Sequence, residues 1–87
     1  MKTIRKKIQT QYFEAILAGK KNYELRLNDF DVEEGDILIL EEHDENRNLT
    51  GRTIEKTVSY VGKVLINELH WPREEILKKG LQIISLK

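Results

Sequence analysis

At 87 residues, 39% of them hydrophobic and none of them cysteine, the chain suits one small core in a single domain, 1–87, and excludes a disulfide framework or a thiolate metal site. Fifteen Lys/Arg balance fifteen Asp/Glu, and a net charge of zero argues against a simple nucleic-acid glue. With no apolar run of about 18 residues and no signal-peptide core behind Met1, the expectation is a cytoplasmic, monomeric protein with no membrane partner.

The charges are unevenly spread. Residues 1–26 hold seven Lys/Arg against two Glu, residues 27–55 two Arg against ten Asp/Glu, and residues 56–87 six Lys/Arg against three Glu. The chain is therefore basic at both ends and acidic in the middle. If the ends meet in the fold, one face becomes basic and the other acidic; if they scatter, the charges cancel locally.

In chain order, Ile4–Ile8 reads as a short strand. Thr10 suits the N-cap of a helix running through Ala18, with Phe13, Ile16 and Leu17 at helical spacing. Gly19 then occupies the left-handed position that ends a helix. Asn22–Leu27 alternates, which predicts a strand with Tyr23, Leu25 and Leu27 facing the core and Asn22, Glu24 and Arg26 facing away. After the turn V-E-E-G-D, Ile37–Leu40 is apolar on both faces, as in a well-covered strand. Asp44–Gly51 forms the centre of a polar hairpin loop, and Arg52–Val61 returns as an antiparallel partner with Ile54, Val58 and Tyr60 inward. Pro72 opens a short helix with Glu74 and Glu75 at its positive end and Lys78 and Lys79 at its negative end, closed by Gly80. Leu81–Leu86 reads as a final strand. The resulting order, β-α-β-β-β-α-β with mostly antiparallel pairing, predicts an α+β fold: a small closed or nearly closed sheet with two short helices at its ends.

The polar face of Asn22–Leu27 carries the chemistry. Glu24 and Arg26 would leave one strand face about 6–7 Å apart, with Lys21 at the helix-to-strand junction. Such a trio is either a solvated salt-bridge ladder or a grip on a ligand, Arg supplying a fork, Lys a point charge and Glu an acceptor. His43 and His70 lack metal-ligand spacing, so neither a metal nor another cofactor is expected. Ser59 and Ser85 have no neighbouring His, which disfavours a serine triad. Trp71 reads as a half-buried lid or as a stacking face for a base, and Gln82 as an edge residue or a cleft residue.

Tyr12-Phe13, Ile16 and the stretch G-K-K-N-Y-E-L-R together resemble the signature of the ASCH domain family, whose fold is a PUA-like β-barrel. That signature, G-x-K-x-x-E-x-R, falls on Gly19, Lys21, Glu24 and Arg26. Glu33–Leu40 and Thr50–Arg52 resemble the turn-and-strand and the hairpin of small stand-alone bacterial and phage members. The resemblance implies a ligand cleft between the first helix and the barrel, faced also by Lys7, and an RNA or nucleotide ligand. Some relatives resemble amidohydrolases acting on acylated cytidine through a Lys, a Thr and a Glu. This chain keeps the Lys as Lys21 but has Glu24 where those relatives carry the Thr. Ribonuclease activity is also associated with some members.

Two functional expectations follow. One is a binding cleft built from Lys7, Gly19, Lys21, Glu24 and Arg26, extended by Trp71 and Gln82, in which the cations contact phosphate and Glu24 accepts from a base amine. The alternative is a small hydrolase acting on a modified nucleoside or RNA, with Lys21 as base or nucleophile and Glu24 as proton carrier.

Overall fold

The computed structural model describes residues 1–84. Strand β1 (Thr3–Gln9) leads without a loop into helix α1 (Thr10–Leu17), followed after a long irregular stretch by β2 (Ile37–His43) and β3 (Leu49–Thr57). A 3-10 turn (Ile66–Glu68) and helix α2 (Arg73–Lys79) complete the regular elements among the described residues. The strands lie in the order β1-β2-β3, with β1 parallel to β2 and β2 antiparallel to β3. The fold is thus α+β with a three-stranded mixed sheet, not the mostly antiparallel arrangement expected.

The β1–β2 register explains where the core lies. Ile4 pairs with Leu38, Lys6 with Leu40 and Ile8 with Glu42, so these six share one face of the pleat. Helix α1 lies against this sheet, and Ile8, Phe13, Ile16 and Leu40 form the buried cluster, with Leu38 and Ile54 packed against it. The expected two-sided coverage of β2 holds only in part, since Ile37, Leu38 and Ile39 are half-buried and Leu40 is fully buried. Lys6, on the inward face, keeps its ammonium 3.8 Å from the centroid of the Phe30 ring, a cation–π contact that suits a half-buried lysine.

Three sequence expectations fail in instructive ways. Thr10 is the first residue of α1 rather than its cap, and its hydroxyl donates to the His43 carbonyl at 3.3 Å. The segment Asn22–Leu27 forms no strand. Side-chain donors take backbone acceptors there: Arg26 Nη2 donates to the Lys7 carbonyl at 2.6 Å, and Lys21 Nζ to the Tyr23 carbonyl at 2.8 Å. Its burial does not follow the pattern either: Leu25 and Leu27, expected in the core, are 71% and 78% exposed, whereas of the expected outward residues Asn22 and Arg26 are exposed and the Glu24 side chain is only 15% exposed. Finally, β3 stops at Thr57, which leaves Tyr60 exposed, and residues 81–84 form no strand; the remainder of the expected strand, through Leu86, lies outside the described residues.

Candidate functional site: a cleft between β1, α1 and the 21–26 segment

Helix α1 ends in a hydrogen-bonded cap that sets the position of Lys21. Gly19, at φ 75°, turns the chain out of the helix, and its N–H donates to the Ile16 carbonyl. The N–H groups of Lys20 and Lys21 both donate to the Ala15 carbonyl, so three carbonyl bonds close the last turn. Gly19 matters here as backbone: a side chain at that φ would be strained, and the turn that brings the Lys20 and Lys21 N–H groups to the Ala15 carbonyl passes through it.

From this cap the chain delivers Lys21, Glu24 and Arg26 to one place. Lys21 Nζ donates to Glu24 Oε1 at 2.9 Å, and Arg26 Nε donates to Glu24 Oε2 at 2.7 Å. Glu24 therefore bridges two cations, one at each oxygen, and the Arg26 bond to the Lys7 carbonyl ties the group to β1. The Lys21 ammonium also lies 4.6 Å from the Tyr23 ring centroid and 5.5 Å from that of Tyr12. Two half-exposed rings, Tyr12 at 42% and Tyr23 at 38%, thus flank the ion-paired group.

These residues line an open cleft of about 420 Å³, completed by Lys7, Ile8, Gln9, Leu25, His43 and Ile83. Of the residues singled out in the sequence, Lys7, Lys21, Glu24 and Arg26 come together there. Gly19 shapes the cleft from outside its lining. Trp71, its ring tilted by 35° against that of His70 at 4.3 Å between centroids, and Gln82 are not among the lining residues. Tyr12, Tyr23, Gln9, His43 and Ile83 were missed by sequence reasoning. Tyr23 misled because alternation assigned it to the core, whereas Tyr12, one residue before the buried Phe13, is at helical spacing to face away from the core. Among the described residues no three His, Asp or Glu side chains converge as metal ligands, and no helix is long and apolar enough to cross a membrane.

A second charged group lies elsewhere on the sheet. Glu42, 3% exposed, accepts from Arg52 Nε at 2.8 Å and Nη2 at 2.9 Å and from the Thr50 hydroxyl at 2.5 Å. Arg52 also donates to Glu14 of α1 at 2.5 Å and lies 4.7 Å from the Phe13 ring centroid. Arg52, then Thr50, hold the Glu42 carboxyl down at about 2, and the two carboxylates raise the Arg52 guanidinium above its ordinary value. Both side chains therefore stay charged across the physiological range. This group fastens α1 to the sheet and contributes nothing to the cleft lining.

Residues 4–70 match the model of a family described as a domain of unknown function, DUF3850. The chain belongs to that family. No curated protein and no solved structure matches it. The DUF3850 match takes in the sheet apart from Thr3, α1 and every cleft-lining residue except Ile83, so the charged cleft lies almost entirely within the shared domain.

Proposed function

We propose that this DUF3850 domain is an ASCH-type, PUA-like module that binds an RNA base or nucleotide in the cleft between β1, α1 and the 21–26 segment. The observation that carries this reading is the convergence of Lys7, Lys21 and Arg26 with a single carboxylate, Glu24, beside two half-exposed tyrosine rings. Three cations against one anion favour a phosphate-bearing ligand, and aromatic faces accept any base by stacking. The PUA-like barrel belongs to the same proposal: β1, β2 and β3 would be part of its wall and α1 would cover one opening.

Binding is favoured over the hydrolase alternative by what surrounds Lys21. Its ammonium donates to Glu24 and to the Tyr23 carbonyl, which makes it a fixed donor rather than a free base or nucleophile.

Titration of a short single-stranded RNA at two salt concentrations tests the reading. Binding should weaken with salt, with a log–log slope of about −1.5 to −2 if two or three phosphates are engaged. Replacing Lys21 and Arg26 together by Ala should abolish it. An absence of binding at low salt, or binding unchanged in the double variant, would overturn the proposal.

A further inference from the structure

The donor inventory of the cleft shows which part of a nucleotide it can address. A lysine ammonium has three N–H donors, of which Lys21 uses one on Glu24 and one on the Tyr23 carbonyl. An arginine has five, of which Arg26 uses Nε–H on Glu24 and one Nη2–H on the Lys7 carbonyl. Donors therefore remain on both cations, and Lys7 is a third basic residue of the lining. Carboxylate acceptors are scarcer. Glu24 is the one carboxylate in the lining, and each of its oxygens already faces a cation, at 2.9 Å and 2.7 Å. Each oxygen keeps a second lone-pair site, but the Glu24 side chain is only 15% exposed, and a base amine reaching it would crowd against two positive groups.

We infer that Glu24 is a positioning residue, which holds the Lys21 ammonium and the Arg26 guanidinium as donors toward the phosphate of the ligand and does not read the base. This rests on the nucleotide reading above and deepens it. Glu24 lowers the positive charge of the cleft, yet it fixes two flexible cations in one geometry. Preorganisation of this kind reduces the ordering a ligand must impose on long side chains.

The two effects of Glu24 have opposite signs, so Glu24→Gln separates them. Glutamine keeps the length and shape but loses the charge. If charge alone mattered, the variant would bind an anionic nucleotide more tightly. If Glu24 positions its partners, the variant should bind UMP and AMP more weakly, both by about tenfold. If Glu24 reads a base amine, AMP should lose affinity and UMP should not. Arg26→Lys keeps the charge and loses the fork, and should weaken both nucleotides by a comparable factor. Thermal melting of each variant, expected near that of the unaltered chain, distinguishes lost binding from lost folding.

Oligouridine and oligoadenine of a few nucleotides form the second arm, since the phosphate can belong to a free nucleotide or to a strand. Affinity for the oligomers alone assigns it to a strand, and the same comparison of variants is then read on them. Equal weakening of both bases in a folded Glu24→Gln variant supports the inference. Tighter binding, or a loss confined to adenine, overturns the inference and leaves the nucleotide reading intact. Failure of the unaltered chain to bind any of these probes overturns both.

Discussion

Glu24 and Glu42 each accept from an arginine Nε and from a second side chain, and the difference between them lies in what surrounds the pair. Glu42 faces the covered side of the sheet, 3% exposed, with Arg52 and Thr50 on one strand and Glu14 of α1 completing the contact. Glu24 belongs to an irregular segment at the mouth of a cleft, and its partners Lys21 and Arg26 lie within three residues of it. Through the Arg52–Glu14 contact the first joins elements 38 residues apart and therefore resists unfolding. The ion pairs of the second join neighbours, with the Arg26 bond to the Lys7 carbonyl as its tie to β1, which adds less to global stability but defines a local surface. The same pairing thus serves folding in one place and recognition in the other.

The sharpest way to break this comparison is to remove one cation from each group. Arg52→Ala leaves Glu42 buried with only hydroxyl partners, uncovers the Phe13 ring and cuts the tie to Glu14. The melting midpoint should fall by about 10 °C or more, because a buried carboxylate without its cation is strongly unfavourable. Lys21→Ala should shift it by no more than about 2–3 °C, as expected for a local pair near the surface. Equal shifts in the two variants would erase the distinction.

Acid should reveal the same asymmetry with a smaller effect. The Asp36 carboxyl is lowered from 3.8 to about 2, chiefly by the Lys2 backbone N–H, then by the Lys2 ammonium and the Glu33 N–H. Glu42 is lowered from 4.5 to about 2, chiefly by Arg52. In the unfolded chain both groups would take up protons near their ordinary values, whereas the folded chain holds them ionised to about 2. Their stabilisation is therefore complete above 4.5 and is lost as pH falls from there through about 2. Denaturant midpoints measured from pH 6 to pH 2.5 should decline over that window, and Asp36→Asn should flatten the decline. A midpoint constant over the window would contradict both pairings.

The two groups were also unequally legible in the sequence. G-K-K-N-Y-E-L-R announced its charged residues, since Gly19 marks a helix end and the charges crowd behind it. What alternation could not show was that Arg26 and Lys21 would take the carbonyls a strand needs, leaving Leu25 and Leu27 exposed. Binary pattern assumes that the backbone bonds to backbone, and here side chains compete for it. Helix α1 was legible from the helical spacing of Phe13, Ile16 and Leu17, α2 from Pro72, Gly80 and its end charges, and β2 from the apolar run I-L-I-L. Glu42, by contrast, was hidden. In I-L-I-L-E-E-H it reads as the polar end of a strand, and its partners in T-G-R lie beyond a loop. Parallel pairing of β1 with β2 was equally out of reach, because it depends on the crossover through α1 and the 18–36 stretch rather than on either strand's composition.

Gly51 explains how Thr50 and Arg52 reach one carboxylate, and it provides the mildest test of the comparison. Between the pairs Glu41–Thr53 and His43–Leu49, β2 contributes Glu42 alone while β3 contributes Thr50, Gly51 and Arg52. The surplus residues form a bulge, and Gly51 takes φ 94°, a conformation that a residue with a Cβ adopts only under strain. Nothing lies within 4 Å of where a Cβ would sit, so Gly51→Ala would meet no steric clash and its effect isolates the backbone. The substitution should cost about 1 kcal/mol, read as a melting shift of about 4–8 °C. Because the bulge aims both donors at Glu42, the loss should shrink when Gly51→Ala is made in an Arg52→Ala background, where one donor is already gone. Fully additive losses would show that Gly51 serves the hairpin alone and not the buried carboxylate.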